Sequence, residues 1–566
     1  MFMPATREEM ARLGWDELDV ILVTGDSYID SPFIGIAVIG KVLAGAGYRV
    51  GVIAQPDTQS DKDIRRLGEP KLFWGVSGGS IDSMIANYTS LKKKRRSDDY
   101  TPGGTNNRRP DRAVIVYTNL IKRYFKSARP IVLGGIEASL RRVAHYDYWS
   151  DRVRGSVLLD AKADYLLYGM AEGPVLRLAQ VLKTGGDTRG MRGLCYIAGE
   201  SGGARELEGY LDLPSYETVA GDKSALVEMF HAFYQNQDPL TARGLCQRHG
   251  NRILVHNPPA PYETQAELDA VYALAFERAQ HPYYERQGKV AALETIRFAI
   301  PTHRGCYGEC SFCAIAVHEG RTVRWRSAQS ILAEARLLTE HPDFKGYIVD
   351  LGGPTANMYG FECGKKLERG ACRERRCLYP DVCPSLRPDH SRQLELLRAV
   401  RRIPGVKKVF VASGIRYDLL LSDQKHGIAY LEEVADQHTS GQMKVAPEHT
   451  EASVLRAMGK PGPASLLRFK KLFDGMTRES GKEQFLTYYF IAGHPGCTAK
   501  DMQALRRFAR DRLKISPRQV QVFVPAPSTY SGLMYYTGLD PFTNKPLFVE
   551  KELRGKQRQK DILVGR

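Results

Sequence analysis

Three cysteines on one short loop set the first limit on this chain. Arg304-Gly305-Cys306-Tyr307-Gly308-Glu309-Cys310-Ser311-Phe312-Cys313 spaces them as CxxxCxxC, with an aromatic residue just before the last. Thiolates hold iron–sulfur clusters, and a complete cubane normally takes four of them. Three close thiolates on Cys306, Cys310 and Cys313 can hold three irons and leave the fourth open to a small molecule. Zinc is the competing reading, since it takes four Cys or His ligands. Cys310-x-x-Cys313 would supply one knuckle, with His303 or His318 to complete the number. The loop is too polar and too rich in glycine to read as packed core.

The 566 residues imply more than one domain and ample material for cores. No apolar run approaches a membrane span, and Met1–Met10 lacks a basic-then-apolar signal region, so the expectation is a soluble cytoplasmic protein. Seven of the ten cysteines fall between Cys306 and Cys383, which points to metal binding rather than a disulfide framework. The net charge of +17 is partly local, in Lys92–Arg96 and Lys365–Arg376. Such runs are solvated loops, or they attract an anionic partner: RNA, or an acidic electron-donor protein.

Residues 1–184 read as an N-terminal α/β sheet domain. Asp19–Thr24, an apolar helical pattern to Gly47, and Arg49–Ile53 form strand–helix–strand, the unit of a parallel sheet. Further strands are expected at Leu72–Val76, Ala113–Tyr117, Pro130–Leu133 and Tyr165–Tyr168. Asn87–Arg109 is charged, has no apolar period, and reads as a surface loop. Residues 185–289 read as a helical connecting subdomain, from the spacing of Leu226, Met229, Phe230 and Phe233 and of Leu268, Val271 and Tyr272.

From 290 to 530, strands and helices alternate. Strands are expected at Thr295–Ile300, Gly346–Leu351, Lys408–Ala412, Gln442–Ala446, Phe485–Ile491 and Gln519–Val524, with five helices between them. In such architectures chemistry gathers at the carboxyl ends of the strands. Those ends carry the cysteine loop, Asp350–Thr355, Ser413–Asp418, Ala446–Thr450, Ala492–Cys497 and Pro525–Thr529. An insertion at 357–390 holds Cys363, Cys372, Cys377 and Cys383, which suit a zinc site, an auxiliary iron–sulfur cluster, or free thiols. Residues 531–566 read as a basic tail.

The cysteine spacing with its aromatic resembles the radical SAM superfamily, and the six β/α units resemble its partial (β/α)6 barrel. The N-terminal layout resembles the cobalamin-binding domain that precedes many such barrels, although Asp26–Pro32 lacks the histidine of the DxHxxG pattern. Over nearly the whole chain, the motifs resemble the YgiQ family of radical SAM proteins. They are Asn257-Pro258-Pro259, His318–Arg321, Asp350–Tyr359, the four-cysteine loop and Lys444–His449. The resemblance implies a 4Fe–4S cluster on Cys306, Cys310 and Cys313, with S-adenosylmethionine as cosubstrate. It also implies reductive cleavage to a 5′-deoxyadenosyl radical, but names no substrate. Gly352 and Gly353 resemble the GGE-type motif at the methionine amino group, with Pro354-Thr355 where the Glu would stand. Ser413 and Arg416 are candidates for the ribose or carboxylate, an arginine fork suiting a carboxylate. The electron must come from an external donor of flavodoxin or ferredoxin type. The alternatives are an RNA-modifying, methylthiotransferase-like enzyme and a zinc-stabilised, non-catalytic binding protein.

Overall fold

The computed structural model describes residues 1–199 and 207–565. The chain divides into two compact units, Met1–Glu263 with Ala270–Arg297, and Thr264–Asp269 with Phe298–Arg566.

The first unit is built on a nine-stranded sheet. Its strands are β1 (Val20–Thr24), β2 (Val50–Ala54), β3 (Phe73–Ser77), β4 (Ile131–Gly134), β5 (Tyr165–Leu167), β6 (Leu194–Gly199), β7 (Leu211–Leu213), β8 (Leu245–His249) and β9 (Arg252–His256). The spatial order is 7-8-9-6-5-4-3-1-2. Within it, β2-β1-β3-β4-β5 is a parallel, doubly wound half. β1 and β2 are buried at every residue, as parallel strands covered on both faces are. Val38 and Val42 of helix Gly35–Gly45 pack with Leu176 of helix Glu172–Thr184 over this half.

Three expectations for this unit are corrected. Ala113–Tyr117 is not a strand but the start of helix Ala113–Tyr124. Its β-branched residues suggest a strand, yet Val114, Tyr117, Leu120 and Ile121 recur at helical spacing and are buried together on one face. Residues 185–289 are not a helical connector. β6, β8 and β9 pair antiparallel with one another and with β5, so that stretch extends the sheet. Helix Lys223–Gln235 sits among these strands. Nor is Asn87–Arg109 only a surface loop, since Asn87, Thr101, Asn106 and Arg109 are buried.

The second unit carries β10 (Ala299–Pro301), β11 (Tyr347–Ile348), β12 (Asp350–Gly352), β13 (Lys408–Val409), β14 (Gln442–Glu448), β15 (Phe485–Ala492) and β16 (Gln521–Val522). Each pairs parallel with the next in space: β10 with β12, β11 with β13, β14 with β15, and β15 with β16. A parallel bridge from Ile415 to Val445 joins the two halves. Six successive parallel rungs separated by helices make the partial barrel. The first rung is shorter than expected, because Ala292–Ile296 is a helix that ends before β10. The core packs barrel strands against the surrounding helices, with Ile331, Ile348, Leu397, Val409, Leu431 and Phe490 fully buried. Each such side chain contributes roughly 1.5–3 kcal/mol on burial. Residues 531–566, expected as a basic tail, carry ordered helices. Helix Tyr530–Thr537 is buried along almost its whole length, and Leu563 of helix Leu553–Val564 joins the barrel core.

Candidate functional site

The cysteine loop leaves the barrel just after β10, where His303–Arg304 pairs antiparallel with Arg324–Trp325. Gly305 turns the chain with φ 81°, and a Cβ there would lie 2.5 Å from the Thr322 carbonyl oxygen. No other residue fits that turn. The Gly305 N–H donates to the Glu319 carboxylate at 3.0 Å, and the Ser311 N–H to the Met458 carbonyl at 2.9 Å. The loop is therefore fixed at both ends.

Cys306 and Cys310 face each other across Gly308. A Cβ on Gly308 would lie 3.2 Å from the Cys306 sulfur and 3.5 Å from the Cys310 sulfur. The Gly308 N–H donates to Cys306 Sγ at 3.3 Å, and Thr355 Oγ1 lies 3.5 Å from the same sulfur. Arg416 Nη1 donates to Cys310 Sγ at 3.7 Å. Burial pushes the Cys306 and Cys313 thiols up, and the neighbouring sulfurs push them further. Neighbouring thiols whose thiolate forms would repel one another become stable thiolates when a cation or cationic cluster joins them.

Zinc fits the spacing poorly. Sulfurs on one zinc lie about 3.8 Å apart, from Zn–S bonds of about 2.3 Å. Among the described residues, the one set of three such ligand atoms all within 4.8 Å is Asp389, Asp423 and His426. The three loop thiols are not all within 4.8 Å of one another, and a multi-iron cluster, in which each thiolate binds a different iron, does not require them to be. Asp389 and Asp423 are already hydrogen-bonded to His426 and His390.

The remaining predicted residues line the neighbouring strand ends. Gly352 lies on β12, and its carbonyl accepts from the Thr302 N–H at 2.7 Å. Gly353 rests on the His303 imidazole, 2.6 Å from where its own Cβ would be. Ser413 gives its hydroxyl to Asp350, which also accepts from the Ala412 N–H at 2.8 Å. Arg416 commits its Nε and Nη2 to Asp418 and turns Nη1 to Cys310. The structure thus brings Arg416 to the cysteine loop and Ser413 beside Gly352, whose added Cβ would be 3.4 Å from the Ser413 hydroxyl.

His449, His494 and Cys497 are fully enclosed. The Cys497 sulfur lies 3.6 Å from His449 Nε2, and His494 Nε2 bonds Ser531 Oγ at 2.7 Å. Burial lowers His449 to about 4 and His494 to about 3, so both are neutral supports.

Two residues carry more than their sequence positions suggest. Asn357 clamps the Arg416 peptide, accepting from its N–H at 2.8 Å and donating to its carbonyl at 3.0 Å. The only sequence signal for it is its place in Asp350–Tyr359. Glu448 ends β14 in the left-handed region, φ 66°, after a bulge in the β14–β15 ladder. It is buried, and burial raises its carboxyl against the pull of Lys460 and Arg416. Strain of this kind, held by surrounding structure, is common at functional sites.

In the first unit, a doubly wound sheet of order 2-1-3-4-5 opens its ligand crevice at the carboxyl ends of β1 and β3. Here that place is filled. Arg109, fully buried, pairs with Asp26 at 2.7 Å and Asp98 at 3.0 Å, and donates to the Gly78 carbonyl at 3.0 Å. Gly25 packs so closely that a Cβ would meet the Gly78 oxygen at 2.1 Å. In the following loop Tyr28 is buried, and Asp30 is tied to Lys41 at 2.9 Å.

With this geometry in hand, the chain can be set beside known proteins. The family described as Radical SAM N-terminal matches residues 2–299, and the chain is an enzyme of the radical SAM class. A UPF0313 protein of Fusobacterium nucleatum is 54% identical over 564 residues, covering 100% of this chain and 98% of that one. A UPF0313 protein of Thermotoga maritima is 49% identical, with the same coverage of 100% and 98%. The chain belongs to the UPF0313 family, the YgiQ family. Among solved structures, the cobalamin-dependent S-adenosylmethionine radical enzyme OxsB, with aqua-cobalamin and S-adenosylmethionine bound, is similar in fold. Its TM-score is 0.50 at 12% identity, covering 95% of this chain and 58% of OxsB. Among the described residues no helix is long and apolar enough to cross a membrane.

Proposed function

We propose that Cys306, Cys310 and Cys313 hold a 4Fe–4S cluster whose open iron takes S-adenosylmethionine. Such a cluster, when bound and reduced, supplies one electron that cleaves the sulfonium to methionine and a 5′-deoxyadenosyl radical. The observation that carries this reading is the set of three half-buried thiols on one loop with a guanidinium turned to one of them.

The chain's own residues then have definite tasks. Arg416 offsets negative charge at Cys310 while Asp418 and Asn357 hold it in place. Thr355 and the Gly308 N–H meet the Cys306 sulfur, and hydrogen bonds to sulfur tune a cluster's potential. Gly352 and Gly353 offer bare backbone to the methionine end of the cosubstrate, and Ser413 its hydroxyl oxygen. Glu448 suits a cationic group of cosubstrate or substrate. The electron comes from a separate donor of flavodoxin or ferredoxin type.

Cobalamin has no part in this reading. The crevice that would take a corrin is occupied by Arg109 and its two carboxylates.

A second reading, RNA as the substrate, is favoured by a cleft of about 850 Å³ lined by Arg468, Lys470, Lys471, Arg478, Arg512 and Lys514, with Asp474 as its acidic residue. One experiment tests both. Anaerobically reconstituted, reduced protein is assayed for 5′-deoxyadenosine, alone and with total RNA. Product that vanishes in the Cys306→Ala, Cys310→Ala, Cys313→Ala variant is expected, and an increase with RNA would favour the second reading. No product under either condition, or iron retained by the triple variant at the wild-type level, would refute the cluster assignment.

A further inference from the structure

The insertion between β12 and β13 has too little regular structure to hold itself. From Asn357 to His390 it contains one helix, Gly364–Arg369, of six residues, and otherwise turns. Yet it is closely packed. Cys363 caps that helix, its carbonyl accepting from the Lys366 N–H at 3.0 Å. The Cys383 N–H donates to the Cys377 carbonyl at 2.8 Å, and the Leu386 N–H to the Cys383 carbonyl at 2.9 Å. Cys363, Cys377 and Cys383 all gather on the apolar cluster of Tyr307, Phe361 and Leu378. Tyr307 directly follows Cys306, which packs against the same cluster.

One buried cation points into this group. The Lys366 side chain is 3% exposed and has three partners: the Arg321 carbonyl at 2.8 Å, Glu362 at 3.1 Å, and the Cys377 sulfur at 3.7 Å. Its ammonium also lies 4.8 Å from the centre of the Tyr307 ring. Two of its donors meet oxygen, and the third is spent on sulfur. A neutral thiol is a weak acceptor, whereas a thiolate is a strong one. Glu362 is held from the other side by the Cys363 N–H at 2.7 Å and the Val323 N–H at 2.9 Å. Charged side chains thus brace the backbone on either side of Cys363.

We propose that Cys363, Cys372, Cys377 and Cys383 hold a second iron–sulfur cluster that fixes the insertion beside the first cluster's loop. Three of these thiols already converge on one apolar wall, and the half-buried Cys372 is the fourth thiol of the same insertion. Among the described residues no three of these sulfurs all lie within 4.8 Å of one another, whereas sulfurs on one zinc lie about 3.8 Å apart. A cubane holds its thiolates farther apart, since each binds a different iron. The apolar wall with a single buried ammonium also suits an anionic cluster, because burial and hydrogen bonds to sulfur set its potential.

The test counts iron and sulfide in full-length protein reconstituted anaerobically. Wild type is expected to hold about eight irons and each triple variant about four, whether the alanines replace Cys306, Cys310 and Cys313 or Cys363, Cys377 and Cys383. In the first variant the remaining cluster should give a reduced electron paramagnetic resonance signal that S-adenosylmethionine does not alter. Should the second variant fail to fold, Cys383→Ser alone is used, with circular dichroism to confirm structure, and it should also lower the iron count. About four irons in wild type and none in the first variant would overturn the proposal. One zinc per chain that is lost with Cys363, Cys377 and Cys383 would overturn it equally. Failure of the first site leaves a different mark, since iron would then remain in the first variant at the wild-type level.

Discussion

Arg109 gives the sharpest test of how the first unit is held together. Its guanidinium is enclosed with two carboxylates, Asp26 at 2.7 Å and Asp98 at 3.0 Å, and with the Gly78 carbonyl at 3.0 Å. Arg109→Met keeps much of the volume and removes the charge. Breaking a buried pair from one side costs about 3–5 kcal/mol, because the partner charge is left uncompensated. Two carboxylates share this guanidinium, so the loss belongs at the upper end, about 5 kcal/mol. Urea unfolding followed by tryptophan fluorescence reads it, since Trp15, Trp74 and Trp149 lie in the first unit.

The deficit should depend on pH. Burial already raises Asp26 while Arg109 pulls it down, so without the arginine its folded value rises further above the unfolded one. A carboxyl raised in this way penalises the folded state above its unfolded value, near 4, and the penalty fades as pH falls. The gap between variant and wild type should therefore be smaller at pH 5 than at pH 8. Adding Asp26→Asn and Asp98→Asn should recover much of the loss. A deficit under about 1 kcal/mol, or one unchanged from pH 5 to 8, would refute the claim that this site is a closed ion network.

Two further outcomes follow from the geometry. Gly353→Ala places a methyl 2.6 Å from the His303 ring, so it should cost about 1–3 kcal/mol and lower iron retention after reconstitution, read by denaturation and metal analysis. His145 and His449 are held at about 4 by burial, so both are neutral in the folded chain and gain protons on unfolding in acid. Each contributes stability that is full above its unfolded value of about 6.5 and is lost, at about 1.4 kcal/mol per pH unit, as pH falls toward 4. Unfolding midpoints between pH 7 and pH 4.5 check this, and a flat profile would contradict it.

Local pattern made the second unit legible. Each barrel strand is a short apolar run between turn residues, and the CxxxCxxC loop declares its chemistry in ten residues, Arg304 to Cys313. The antiparallel half of the first sheet was hidden for the opposite reason. Leu211-Asp212-Leu213 is too short to show a period, and β8 carries Gln247 and Arg248 among its apolar residues. The strong helical spacing of Leu226–Phe233 dominated that stretch. Val114-Ile115-Val116 misled through β-branching, although the residues after Tyr117 complete a helical face. Arg109 had no local mark, since an arginine in a charged loop reads as solvated until Asp26 and Asp98 are seen around it. Asn357 and Glu448 were visible as letters, but their tasks depend on contacts and backbone strain that distant residues impose.

The helix Leu553–Val564 reaches back to the end of β15. Gln559 accepts from the Gly493 N–H at 2.9 Å and donates to the Cys497 carbonyl at 2.9 Å, bracketing the turn that carries His494. A nascent chain that has not yet released Gln559 from the ribosome has no partner for either group. His494 meets Phe312 of the cysteine loop edge-on, with ring centres 6.2 Å apart. Synthesis as far as Gln559 must therefore precede assembly of the wall behind the three thiols, and metal loading before that moment would meet an unfinished seat.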